Sequence, residues 1–122
     1  MTKTICAFMN SKGGTLLIGI DDQGHALGVE KDFAVLSRLD RDGFEQRLTG
    51  LVNSCLGKEK GTLVHLTWLK HDDKDVALVR VDRSQRETYL IANPPEFYVR
   101  TGNSSQPLNV KEAAAYIRDH WS

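Results

Sequence analysis

Residues 11 to 22, SKGGTLLIGIDD, constrain the chain more than any other stretch. Two glycines interrupt whatever precedes them. Thr15 to Ile20 then runs apolar without a break, and two aspartates close it. Such a run is too short for a core helix and suits a strand buried on both faces. Asp21-Asp22-Gln23-Gly24 has turn composition, so His25 to Val29 is expected to return as a hairpin partner. Upstream, Thr4 to Phe8 fits either the end of a helix or a short strand.

The remaining elements follow from periodicity. Asp42 with Glu45 three residues on has the form of a capping box. Phe44, Leu48, Leu51, Val52, Cys55 and Leu56 then make one helical face, and Gly57 supplies a left-handed stop. Val64, Leu66 and Trp68 alternate with polar neighbours, and Val76 to Val81 is the partner strand across a turn at 71–75. Tyr89 to Ile91 and Phe97 to Val99 read as short strands around Asn93-Pro94-Pro95. Arg100 to Pro107 reads as a polar loop. Asn109 and Glu112 cap a last helix whose apolar face carries Ala113, Ile117 and Trp121. Trp68 and Trp121 are expected in the core. The order predicts an α+β fold with a mixed, largely antiparallel sheet packed with two main helices.

Composition sets outer limits. A chain of 122 residues with 40% apolar content fits one domain, residues 1–122, with a real core. No apolar run approaches the ~20 residues of a membrane span. Asn10, Ser11 and Lys12 interrupt the only N-terminal apolar stretch, which argues against a signal peptide. Cys6 and Cys55 lack metal-ligand spacing and read as reduced, structural thiols of a cytoplasmic protein. Sixteen basic residues balance sixteen acidic ones, so any nucleic-acid binding must come from a local patch.

Three segments invite a functional reading. The Lys12-Gly13-Gly14-Thr15 turn begins like a phosphate loop, but no lysine follows the glycines and they precede the strand instead of following it. ATP hydrolysis there is not expected. A tight turn and a backbone surface that accepts a nucleic-acid phosphate both remain open. Asp21, with Asp22 beside it, has the oxygen chemistry for a divalent cation, but Glu30 is the nearest further carboxylate in sequence and turn chemistry competes. The histidines His25, His65, His71 and His120 show no ligand spacing. The stretch Tyr98 to Ser105 is dense in small donors around Arg100. It suits phosphate contacts as well as it suits an ordinary loop before the last helix.

Taken together, ICAFMNSKGGTLLIGIDDQGHALGVE, RDGFEQRLTGLVNSCLG, FYVRTGNSSQPLNVKEAAAYI and the closing HW resemble the Schlafen-type, AlbA-like DNA-binding domain family of bacterial proteins. Members of that family are described as helicase-related, divergent ATPase-like or transcriptional-regulator proteins. The resemblance implies an α+β domain that binds nucleic acid, DNA before RNA, and is commonly fused to other domains. It makes Asn10, Ser11, Lys12, Gly13, Gly14, Arg100, Asn103 and Ser104 the nucleic-acid-contacting candidates, with no cofactor. RNA-cleaving animal relatives use two glutamates and an aspartate. Asp21 matches the aspartate as a candidate metal ligand, while the glutamate segment lies upstream of the matched region. The chain is therefore expected to be a non-catalytic piece of a longer protein. The alternatives are part of a metal-dependent nuclease or helicase-related enzyme, and a protein-interaction module.

Overall fold

The computed structural model describes residues 2–20, 41–71 and 74–121. The expected turn at Asp21, the hairpin partner from His25 to Val29, and Asp72-Asp73 lie outside them. The architecture is α+β. Helix α1 spans Thr2–Met9, strand β1 Gly14–Ile20, and helix α2 Arg41–Cys55. A 3-10 helix, Lys58–Leu63, leads into β2, Val64–His71, and β3, Lys74–Val81. Strands β4, Phe97–Thr101, and β5, Ser104–Leu108, precede helix α3, Val110–His120.

Two antiparallel sheets organise these elements. The first has the order β1-β3-β2, with Leu16 opposite Val79 and Val79 opposite Leu66. The second is the β4-β5 hairpin, with Arg100 opposite Ser105. The polar stretch from Arg100 to Pro107, where a loop was expected, therefore ends β4, turns at Gly102 and forms most of β5. Gly102 takes φ +61° at its tip, which a side chain would resist, and this lets the chain reverse in two residues. Tyr89 to Ile91 keeps only a single bridge, Leu90 to Glu96, and no strand.

Helix α1 resolves the ambiguity at the N-terminus. Thr4 through Met9 are all buried, and a helix that is apolar all round belongs inside. It packs against β4 and β5 and touches α2 and β3. Phe44, Leu48 and Val52 of α2 recur every four residues and close the same core over Leu16, Ile18, Ala77, Val79 and Val81. The helix starts at Arg41, so Asp42 lies inside it. Glu45 accepts a 2.7 Å hydrogen bond from Trp68 Nε1. Trp68 stacks edge-on to Phe44 at 5.5 Å and packs, partly buried, against the core. Gly57, at φ +108°, donates its N–H to Val52 O and ends the helical run as its sequence position suggests.

Strand β1 departs from the expectation of two buried faces. Leu16 and Ile18 point inward, whereas Leu17 is 58% exposed. The helices among the described residues cover only the inner face of this sheet, so period-two alternation returns despite the unbroken apolar sequence. A second, smaller core joins Phe97 and Val99 of β4 to Ala113, with Leu108, Tyr116, Ile117 and Trp121 packed on it. Strand β4 is consequently buried on both faces: Tyr98 faces the first core, and its neighbours face α3. The Asn109–Glu112 capping box starts α3 as the sequence indicates, with bonds of 2.8 and 3.0 Å.

Both glycines of the turn before β1 are required by close approach. A Cβ on Gly13, at φ +79°, would lie 2.6 Å from Val81 O, and one on Gly14 would lie 2.5 Å from the buried Phe8 ring. Gly14→Ala is expected to cost about 1–3 kcal/mol through overpacking. Gly13→Ala is expected to cost more, since about 1–2 kcal/mol of left-handed strain adds to a backbone collision. Urea denaturation of both variants checks the order. Equal stability of Gly13→Ala and wild type would contradict it.

Candidate nucleic-acid interface

The α1 C-terminus, the Gly13 turn and β4 meet at one place, and Asn10 holds them there. Its side chain is fully buried. Asn10 Oδ1 accepts from the Thr88 N–H at 2.7 Å, while Nδ2 donates to Thr88 O at 2.7 Å and Tyr98 O at 2.9 Å. Its own carbonyl accepts the Tyr116 hydroxyl. Asn10 was a candidate for contacting phosphate. The structure corrects this, because every polar atom of its amide is spent inside and none faces a ligand.

The backbone of the turn is similarly committed. The N–H groups of Ser11 and Gly13 both donate to Phe8 O, at 3.1 and 2.9 Å, which closes the end of α1. Gly14 already belongs to β1, opposite Val81. The amide cradle suggested by the sequence therefore does not form at Gly13 and Gly14, whose role is close packing. Ser11 Oγ accepts the Arg100 N–H at 2.9 Å, so the serine also ties the turn to the second sheet.

Two cations remain at the surface. Lys12 is exposed at the crest of the turn. Arg100 is half-buried and well supported: its guanidinium lies 5.0 Å from the centre of the Phe8 ring and donates to Ser105 Oγ at 3.0 Å. Ser105 Oγ reaches Thr4 Oγ1 at 3.3 Å. The guanidinium has five N–H donors, and the Ser105 bond leaves most of them for a ligand. Lys12 and Arg100, 88 positions apart in the chain, line one cavity of about 370 Å³ with Ser11, Gly13, Gly102 and Tyr116. Neither cation forms an ion pair with a carboxylate among the described residues. Asn103 and Ser104 sit beyond this cavity at the hairpin tip. Asn103 is exposed, and Ser104 Oγ accepts from Gln106 Nε2 at 2.9 Å.

Sequence reasoning missed the rings beneath the cavity. Tyr116 stacks on His120 at 4.8 Å and 19°, and His120 meets Trp121 edge-on at 4.6 Å. Burial, with Arg83 nearby, lowers the His120 pKa from its usual 6.5 and favours the neutral ring, against a backbone hydrogen bond at Ser11 that raises it. The spacing of Tyr116 and His120 by four residues was the available signal, since it stacks side chains on one helical face.

Chemistry elsewhere is muted. Burial raises the Cys6 thiol to about 11, which makes it an inert core group. Burial and the Glu96 carboxylate, which accepts its hydroxyl at 2.6 Å, hold Tyr98 protonated with a pKa of about 12. Among the described residues no three His, Cys, Asp or Glu side chains group as a metal site, and Asp21 lies outside those residues. No described helix is long and apolar enough to cross a membrane.

A family model described as Schlafen, AlbA_2 matches residues 1–109. The chain belongs to this Schlafen AlbA_2 family. The match runs from α1 to the cap residue of α3 and takes in the Gly13 turn, Arg100 and the hairpin tip. Membership suggests a nucleic-acid-binding or related domain. No solved structure matches the chain significantly.

Removing the Asn10 amide takes the side-chain partner from the buried Thr88 N–H and Tyr98 carbonyl, at about 1–3 kcal/mol each, and leaves the Thr88 carbonyl with only the weak Cys6 thiol donor at 3.4 Å. Asn10→Ala is therefore expected to lose about 3 kcal/mol or more. Asn10→Asp should be no milder, because a carboxylate cannot donate to the two carbonyls. Chemical denaturation reads both losses. A loss below about 1 kcal/mol for either variant would contradict this role.

Proposed function

We propose that this Schlafen AlbA_2 domain binds nucleic acid without catalysing a reaction of its own, with Lys12 and Arg100 as its central phosphate contacts. The observation that supports this reading most is the convergence of those two cations, without carboxylate partners among the described residues, on one concave site. Ser11 and the hairpin tip at Asn103 and Ser104 border the approach. A phosphate entering the cavity meets a charge fixed by Phe8 and Ser105 and a second charge on a freely adjusting lysine. Contacts of this kind position a backbone and carry no base identity, so binding is expected to depend on salt and little on sequence.

The biological setting we favour is DNA binding within a cytoplasmic bacterial regulator or helicase-related protein. Zero net charge limits the strength of such binding. Few cations act together, and the acidic half of the charged residues opposes a polyanion at long range. Affinities on the order of 10⁻⁴–10⁻⁶ M at moderate salt follow, the range of non-specific association.

Fluorescence anisotropy with labelled single- and double-stranded oligonucleotides at several salt concentrations tests the reading. Lys12→Ala and Arg100→Ala should each weaken binding uniformly across sequences and lower the salt slope by about one unit. Wild-type affinity indifferent to both substitutions, or no association even at low salt, would favour a protein-interaction module instead.

A further inference from the structure

A third segment, absent from both loops discussed so far, carries the same chemistry beside the same site. After β3 the chain passes through Asp82-Arg83-Ser84-Gln85-Arg86 and lies against the Gly13 turn. The Cβ that Gly13 lacks would come within 3.2 Å of Arg83 N, and the Ser84 N–H donates to Met9 O at 2.8 Å. Ser84 is 3% exposed and fixes the segment from several sides. Lys60 Nζ donates to its hydroxyl at 2.9 Å, Trp121 Nε1 donates to its carbonyl at 3.0 Å, and the Arg86 N–H closes a local turn on its hydroxyl at 3.3 Å.

This anchoring leaves Arg83 and Arg86 exposed on either side of a buried serine. Arg83 donates one N–H to His120 O at 2.9 Å, at the negative end of the α3 dipole, and forms no ion pair among the described residues. The Arg86 side chain has neither a hydrogen bond nor an ion pair among them. The nearest carboxylate in sequence on the β3 side, Asp82, is occupied by His65 at 2.8 Å and Arg80 at 3.7 Å. Glu87 follows directly and is exposed, so it limits the local field without cancelling two arginines.

Arg83 and Gln85 line a depression of about 350 Å³ with His120 and Trp121. The stacked pair Tyr116–His120 joins this depression to the Lys12–Arg100 cavity, since Tyr116 lines the one and His120 the other. The surface therefore runs from cations, across half-buried rings, to cations again.

We propose that Arg83 and Arg86 form a second backbone-contacting station for single-stranded nucleic acid, which reaches it from the Lys12–Arg100 cavity across the His120–Trp121 rings. The inference rests on the nucleic-acid reading given above and specifies the strand state and the path. A single strand can bend into successive depressions and lay bases on aromatic faces, a mode that tolerates any sequence. A duplex keeps its bases stacked inside a stiff cylinder and gains nothing from the rings.

The test uses fluorescein-labelled oligodeoxythymidylate and oligouridylate with a self-complementary hairpin duplex as competitor. Arg86→Ala breaks no side-chain hydrogen bond or ion pair among the described residues and should leave thermal stability nearly unchanged. It should weaken single-strand binding about three- to tenfold and reduce the salt slope by about 0.7, the single-strand value per phosphate. Lys111→Ala, in the first turn of α3, should change neither. In a Trp68→Phe background, the emission of Trp121 should be quenched by the oligonucleotide. Weakened binding in Lys12→Ala and Arg100→Ala alongside normal binding in Arg86→Ala and unquenched Trp121 would overturn the second station while the first survived. A hairpin duplex that competes as well as the single strand would overturn the strand assignment. No binding by wild type would overturn both readings.

Discussion

The buried amide of Asn10 is the interaction on which the rest of the structure depends. One small side chain donates to two carbonyls and accepts one N–H where water does not reach. Buried amides of this kind cost several kcal/mol if left unmade, so the three segments meeting there are held in one arrangement. Those segments are the end of α1, the chain at Thr88 and strand β4. The Tyr116 hydroxyl adds α3 through the Asn10 carbonyl. Remote parts of the sequence are thus fixed around one residue, and the cations beside it inherit that order.

The electrostatics of the site follow from this scaffold. With a balanced chain, a phosphate is attracted only where several cations converge without acids. The Gly13 turn supplies Lys12, β4 supplies Arg100, and the stretch after β3 supplies Arg83 and Arg86. Each is delivered by backbone that hydrogen bonds anchor at or beside it: Ser11 and Gly13 N–H on Phe8 O for the turn, Ser11 Oγ for Arg100, Ser84 for the arginine pair. The charged side chains are therefore available on a frame that need not reorganise. Rings between them give the surface an apolar floor that a bare phosphate clamp would not need.

Much of the fold was legible in local pattern. The α3 capping box, the four-residue spacing of Phe44, Leu48 and Val52, and the pairing of β2 with β3 are short-range signals, and each was read from the residues. The failures came where distant packing decides. An unbroken apolar run at Thr15 to Ile20 cannot reveal that only one face of its sheet is covered among the described residues. Gly102-Asn103 is a two-residue hairpin signal, but the polar residues flanking it lack the alternating apolar pattern of strands and read as loop. Asn10 stood among the phosphate-contacting candidates through the family resemblance and its place in a polar loop, and its partners lie 78 and 88 positions away. The site was half legible. Lys12 and Arg100 were singled out, but their convergence is a property of the tertiary structure. Arg83 and Arg86 carry no motif, and they became visible only when the fold placed them against Gly13 and α3.

The proposed interface is one continuous face, built around Asn10, that receives the nucleic-acid backbone. Amide chemical-shift mapping of the nitrogen-15-labelled protein with unlabelled oligodeoxythymidylate at low salt tests it most directly. Binding along this face gives shifts concentrated on Ser11 to Gly13, Arg83 to Arg86, Arg100 to Ser104 and the end of α3 through Trp121. Shifts gathered instead on the outer face of the three-stranded sheet, around Leu17 and Leu69, would contradict it.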